Sequence, residues 1–196
     1  PKGKRITSLE QAVELANELG NEIGFPLVLK ALGIAHKTEH NAVRLNLRSE
    51  PEVKQAAIDL FALSDTLFLE AMVQSPVAEL IVGITRDAQF GLVLTIGSGG
   101  ILVEILKDAQ TLIIPVDRTQ IEQAVLSLKS APLLAGYRGK PKADVKSTID
   151  AIMAIQAYAI STSETLIELD VNPLLLCADG AYAADALIIV NTSKGE

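Results

Sequence analysis

The stretch Glu168-Leu169-Asp170-Val171-Asn172-Pro173 sets a carboxylate and an amide two positions apart in an otherwise apolar, β-prone run. Alternate side chains of a strand share a face, so Asp170 and Asn172 project together, with Glu168 in line behind them. Pro173 has no amide hydrogen to donate and is expected where the ladder ends or at an edge. Hard oxygen ligands at a strand end suit Mg²⁺, which takes one or two carboxylates and completes its octahedron with water and phosphate oxygens. A second acid, Asp185, follows a turn signal at Ala178-Asp179-Gly180, and folding that hairpin back brings it towards Asn172. Taken alone, the D-x-N spacing is better explained as polar residues ending a strand.

Working outward, helix and strand signals alternate. Ser8 and Gln11 make a capping-box start, with Leu9, Ala12, Val13, Ala16 and Leu19 on one face and Gly20 as a stop. Gly24 to Lys30 reads as a turn into a buried strand, and residues 41–47 alternate as a half-exposed strand does. Pro51 to Leu63 is helical, with proline in the first turn. Thr66 to Val73, Ala78 to Arg86 and Phe90 to Ile96 are strand-like, the last two joined at Asp87-Ala88-Gln89. Beyond the glycines at 97, 99 and 100 come a helical patch, a strand from Thr111 to Pro115 and a helix from Asp117 to Leu128. A loop holding Gly136 and Gly139 precedes a long helix from Lys142 to Ile160, and strands at Thr165 to Val171 and Ala183 to Val190 follow. The pattern predicts a mixed α/β or α+β chain without the rhythm of a doubly wound sheet.

Composition bounds the function classes. A chain of 196 residues is ample for one domain or two small lobes, and 49% apolar with 4% aromatic residues suits helices packed on a mostly buried sheet. A net charge of −7 argues against nucleic acid or an anionic membrane as the main partner. The basic residues nonetheless cluster, at Lys2, Lys4 and Arg5 and again at Arg138, Lys140, Lys142 and Lys146, where a small anion can still bind. Cys177 is the only cysteine, so an internal disulfide is impossible and a reducing, cytoplasmic setting is expected. No run of about 18 apolar residues occurs, so no membrane span is expected. There is no signal-peptide pattern, and a start at Pro1 suits a fragment of a longer chain.

Three further groups could carry chemistry. Lys30 lies inside the apolar run Leu27 to Leu32, where an uncompensated charge is expensive; a phosphate is one natural partner, and a snorkelling edge lysine is the equal alternative. Gly97-Ser98-Gly99-Gly100 can turn consecutive backbone N–H groups towards an anion, although it matches neither the P-loop nor the G-x-G-x-x-G pattern, and a tight structural turn explains it about as well. His36, in the polar stretch Ala35-His36-Lys37-Thr38, reads as a base, a phosphoryl carrier or an ordinary loop histidine.

These pieces recur in a recognisable order: GFPLVLK (24–30), HKTEHNAV (36–43), LEAMV (69–73), AELIVGITRDAQFG (78–91), GSGGILVEILKD (97–108), GYRGKP (136–141) and ELDVNPL (168–174). From about Ser8 to Val190 the chain resembles the ATP-grasp domain of the NDP-forming acyl-CoA synthetases, related to the succinyl-CoA ligase beta subunit. The resemblance implies an ATP-grasp fold of two α+β lobes with largely antiparallel sheets, the small lobe at roughly 24–70 and the large lobe at roughly 71–196 together with the helix at 8–20.

By motif, the resemblance implies that Lys30 touches the nucleotide's phosphates and that Glu70, Ala71, Met72 and Val73 form a hinge reading adenine through backbone groups. It implies likewise that Gly97, Gly99 and Gly100 approach the phosphates or the phosphohistidine loop, that His36 is a second phosphoryl carrier, and that Asp170, Asn172 and Asp185 bind Mg²⁺. The implied reaction joins a small carboxylic acid, CoA and ATP through an acyl phosphate and a phosphohistidine. CoA-binding and phosphohistidine domains are then partners, as another part or subunit of the same enzyme, and a homo-oligomer is allowed. One departure stands out: His40-Asn41-Ala42-Val43 replaces the glycine pair usual after this histidine, although Asn tolerates left-handed dihedrals and Ala42 is small. The alternative is a degenerate ligase-like regulatory domain of a protein lysine acetyltransferase. A purely structural domain does not account for Lys30, Asp170, Asn172 and Asp185.

Overall fold

The first strand is concealed in the sequence by its charges. The structure, a computed structural model, describes residues 1–34, 41–100, 107–139 and 141–191 and divides into Pro1–Gln74 and Ser75–Glu196. In the first unit, β1 (Gly3–Ile6) is an edge strand, a position at which lysines are tolerated and useful. It pairs with β4 (Leu67–Ala71), β4 with β2 (Leu27–Ala31), and β2 with β3 (Val43–Leu47), giving a four-stranded antiparallel sheet in the order β1-β4-β2-β3.

α1 (Leu9–Glu22) and α2 (Glu50–Phe61) lie on one face of this sheet, where Leu15, Leu19 and Leu60 meet Ile6, Leu29 and Leu69. Each such side chain, fully buried, contributes about 1.5–3 kcal/mol of transfer free energy. Ser8 caps α1 by accepting from the Gln11 N–H, while the Gln11 side chain accepts the Thr7 N–H, one residue earlier than a capping box requires. Gly20 does not stop the helix. It lies inside it, where the Phe25 ring leaves no room for a Cβ.

The helix expected at 8–20 therefore belongs to the first unit, not to the larger one. It packs on β1, β4 and α2, and Lys2 and Lys4 of the first strand region pair with Glu22 and Glu18 on it. The boundary falls after Gln74, because β4 runs through Ala71.

The second unit is built on a six-stranded antiparallel sheet. β5 (Ala78–Asp87) and β6 (Gly91–Ser98) form a hairpin, continued by β7 (Ala109–Ile113) on one side and by β8 (Leu166–Leu176) on the other. β10 (Ala186–Val190) and the short β9 (Ala181–Ala183) both pair with β8. The hairpin turns where expected: the Asp87 carboxylate accepts the N–H groups of Gln89 and Phe90, holding its pKa below the usual carboxylate range, and Gly91 takes φ +79°.

α3 (Arg118–Ser127), α4 (Ala131–Leu134) and α5 (Val145–Ser161) share a core with one face of this sheet. Asp117 and Gln120 form a full capping box at α3. α5 starts three residues later than Lys142, because the Asp144 side chain accepts the Ser147 N–H and so sets the cap. The buried Gln156 amide bonds both the N–H and the carbonyl of Val116, tying α5 to the approach to α3. None of the described helices is long and apolar enough to cross a membrane.

Pro173 is not at the end of its ladder. β8 runs on to Leu176, and the proline sits at a bulge where Asn172 and Pro173 oppose Ile81 alone, between the pairs Val82↔Val171 and Leu80↔Leu174. The extra residue changes the parity of the strand. Leu169 and Val171 before it, and Leu174 and Leu176 after it, consequently all reach the core. Ala183 to Val190 is likewise not one strand, since Ala184 and Asp185 separate β9 from β10 on the same side of β8.

Candidate functional site

In the second unit, the bulged strand β8 turns Leu169 and Val171 inward, which puts Glu168, Asp170 and Asn172 on the opposite face. Asp170 stands across from Gly83, and a Cβ built on Gly83 would lie 3.6 Å from Asp170 Oδ1, so the missing side chain is the space beside that carboxylate. The hairpin return brings Asp185 to Asn172: the Asn172 N–H donates to the Asp185 carbonyl at 3.1 Å, and Ala184 donates to the Pro173 carbonyl at 3.0 Å. The Asp185 carboxylate also accepts the Ala186 N–H.

These are two carboxylates and an amide on adjoining segments of one sheet. Among the described residues no group of three or more His, Cys, Asp and Glu side chains forms. The donor set fits Mg²⁺, which needs only one or two carboxylates when phosphate and water supply the rest.

The glycine segment behaves differently from a phosphate-cradling nest. The Ser98 N–H donates to the Asp108 carbonyl and the Gly99 N–H to the Glu79 carbonyl, so sheet pairing continues past the end of β6. Gly99 is dictated by that approach, since a Cβ there would come within 2.8 Å of Glu79 Cβ and 2.9 Å of its carbonyl oxygen. Gly100, at φ +90°, has left the ladder, and its N–H has no partner among the described residues.

In the first unit, Lys30 and Glu70 lie on the sheet face opposite α1 and α2, because Leu29 and Leu69 point to the helices. Both are buried, and Lys30 Nζ donates to Glu70 Oε1 at 2.5 Å. Glu70 thus has a side-chain task that a backbone-reading hinge does not anticipate. Gly3 makes room for it: a Cβ at Gly3 would fall 2.6 Å from Glu70 Cβ and 2.6 Å from the Leu69 carbonyl oxygen.

In the segment expected to form the hinge, Ala71 donates to the Lys2 carbonyl and Met72 to the Pro26 carbonyl, whereas the Val73 N–H has no partner among the described residues. Asn41 adopts φ +51°, and Ala42 is fully buried in the helix-side core with its carbonyl accepting from Ala31. The methyl group that replaces a glycine hydrogen at Ala42 therefore turns into the core. His36 lies outside the described residues.

The sequence reading missed Gly83, Gly3 and the buried Asp108. Glycines within strands are themselves a signal of close approach, and both Gly3 and Gly83 sit in strands.

Comparison with known proteins identifies the fold and the family. The ATP-grasp domain family matches residues 1–190. The chain is 32% identical to the beta subunit of ADP-forming acetate–CoA ligase II of Pyrococcus furiosus, covering 97% of this chain and 84% of that subunit. It is 35% identical to ADP-forming acetate–CoA ligase II of Archaeoglobus fulgidus, covering 94% of this chain but 27% of that protein. The dinucleotide-forming acetyl-coenzyme A synthetase 1 of Ca. Korarchaeum cryptofilum, solved with coenzyme A and Ca-AMPCP, superposes with a TM-score of 0.86 at 29% identity over 97% of this chain and 85% of that one. The same synthetase has also been solved with Mg-AMPPCP. The chain belongs to the ATP-grasp domain family, in the branch of the ADP-forming acyl-CoA ligases, which are acid–thiol ligases. The acetyltransferase-linked alternative has no counterpart among these relatives.

Proposed function

We propose that this chain is the nucleotide-binding part of an enzyme that converts a carboxylate, CoA and ATP into acyl-CoA, ADP and phosphate. The observation that carries the reading is the bulge of β8, beside which Asp170 and Asn172 lie on the face away from the core and the Asn172 N–H meets the Asp185 carbonyl. Asp170, Asn172 and Asp185 hold Mg²⁺, which when bound neutralises phosphate charge and orients the terminal phosphoryl group. Lys30 adds cationic charge to the phosphates, and Glu70 fixes the direction of its ammonium group. The Val73 N–H, which has no partner among the described residues, is the hinge group that reads the base. Such a site works by positioning and electrostatics, with no covalent step of its own on these residues.

His36 is assigned the carrier role by motif position. The partners are CoA-binding and phosphohistidine parts of the same enzyme, which take the phosphoryl group onwards to a small carboxylic acid.

Calorimetric titration of ADP and ATP into the chain, with and without Mg²⁺, tests the reading. Saturable binding that strengthens with Mg²⁺ supports it. Absence of binding in both conditions would refute it.

A further inference from the structure

The nucleotide reading leaves one buried acid unused. Asp108 retains only 7% of its surface in contact with solvent, yet both carboxylate oxygens are engaged. Oδ1 accepts the Lys129 N–H at 2.9 Å; Oδ2 accepts the Ser130 N–H at 3.3 Å and the Ser98 hydroxyl. The Ser98 and Ser130 hydroxyl oxygens are 2.5 Å apart, and the Asp108 carbonyl accepts the Ser98 N–H at 2.9 Å. One side chain thus ties the end of β6 to the junction between α3 and α4. For packing alone an apolar residue would serve as well, since a buried carboxylate costs desolvation that its bonds must offset.

Ser98 immediately precedes the turn. Ser98 is held from the core side and Gly99 by the Glu79 carbonyl at 2.7 Å, so the first backbone N–H of the segment without a partner among the described residues is that of Gly100. We propose that Asp108 is a positioning residue: it locks Ser98–Gly100 against Lys129–Ser130 and so aims the Gly100 N–H at a nucleotide phosphate. The inference rests on the nucleotide-binding reading above.

Every contact of the carboxylate is with a donor, so Asp108→Asn is nearly isosteric but sets an NH₂ group against an N–H or a hydroxyl. Wild type, Asp108→Asn and Ser98→Ala are titrated calorimetrically with Mg·ADP and with adenosine, and amide exchange is followed at Gly99 and Gly100. The expected result is weaker Mg·ADP binding in Asp108→Asn, by about tenfold or more, with adenosine affinity unchanged and faster exchange at both glycines. Ser98→Ala keeps the carboxylate and shows a smaller loss of the same kind; it carries the test if Asp108→Asn does not fold. Equal Mg·ADP affinity in wild type and both variants overturns the proposal while leaving the nucleotide reading intact. So does an equal loss for adenosine, which marks a general structural role. A wild-type chain that binds neither ligand overturns both.

Discussion

Gly83 lies directly across the β5–β8 ladder from Asp170, with the position of its absent Cβ 3.6 Å from the Asp170 carboxylate oxygen. An alanine methyl group fits there at ordinary contact distance, whereas a leucine side chain extends over the carboxylate. Gly83→Leu is expected to weaken Mg²⁺-dependent ATP binding by about tenfold or more, equivalent to about 1.4 kcal/mol, with Gly83→Ala much closer to wild type. Calorimetry of both variants checks this, with circular dichroism to confirm the fold. Equal affinities for Gly83→Leu and wild type contradict it.

The Lys30–Glu70 pair makes a prediction about stability. Both groups are buried, so removing either one takes an ion-pair partner from a buried charge. Glu70→Leu alone is expected to cost about 3–5 kcal/mol in urea unfolding, and the Lys30→Met/Glu70→Leu double variant distinctly less. Additive losses in the two single variants and the double would show that the ion pair is not coupled.

Gly99 is held against the backbone of Glu79, so even one added methyl group must displace main chain. Gly99→Ala is expected to destabilise by about 1–3 kcal/mol, as overpacking does, and to expose the Gly99 amide to exchange. Unchanged stability and protection would mean that β6 and β5 separate there without cost.

Asp108 also governs a pH dependence. Burial alone would raise its pKa, but the N–H groups of Lys129 and Ser130 and the Ser98 hydroxyl together hold it below the usual carboxylate value. A group whose folded pKa is depressed adds stability above its unfolded pKa, about 3.9 for Asp, and loses that stability as pH falls through the folded value. The stability difference between wild type and Asp108→Asn is therefore expected to be constant from neutral pH to about pH 4 and to shrink on further acidification. Urea midpoints measured across that range decide it; a difference that grows in acid contradicts the assignment.

The contrast between what the sequence discloses and what it hides has physical causes. The D-x-N face was legible because strand alternation is local, and the Asp185 return because a turn signal precedes it. The run through Pro173 was not legible, because a bulge depends on two partner strands that lie far away in the chain. β1 was obscured because edge position, not composition, lets Lys4 and Arg5 sit in a strand. α1 packs on β1 and lies with it in the first unit. For Lys30 the choice between a phosphate partner and a snorkelling edge lysine is not local: β2 is an inner strand, and Glu70 from β4 stands beside the ammonium group.

The claim on which the account turns is that the oxygen donors of β8 and its hairpin return hold a divalent cation together with nucleotide phosphate. Mn²⁺ substituted for Mg²⁺ and followed by electron paramagnetic resonance, with ADP added, reads that site directly. The account predicts a tightly bound Mn²⁺ signal in the wild-type chain that is lost in Asp170→Ala and strongly weakened in Asn172→Ala. The same signal at undiminished affinity in both variants would contradict it.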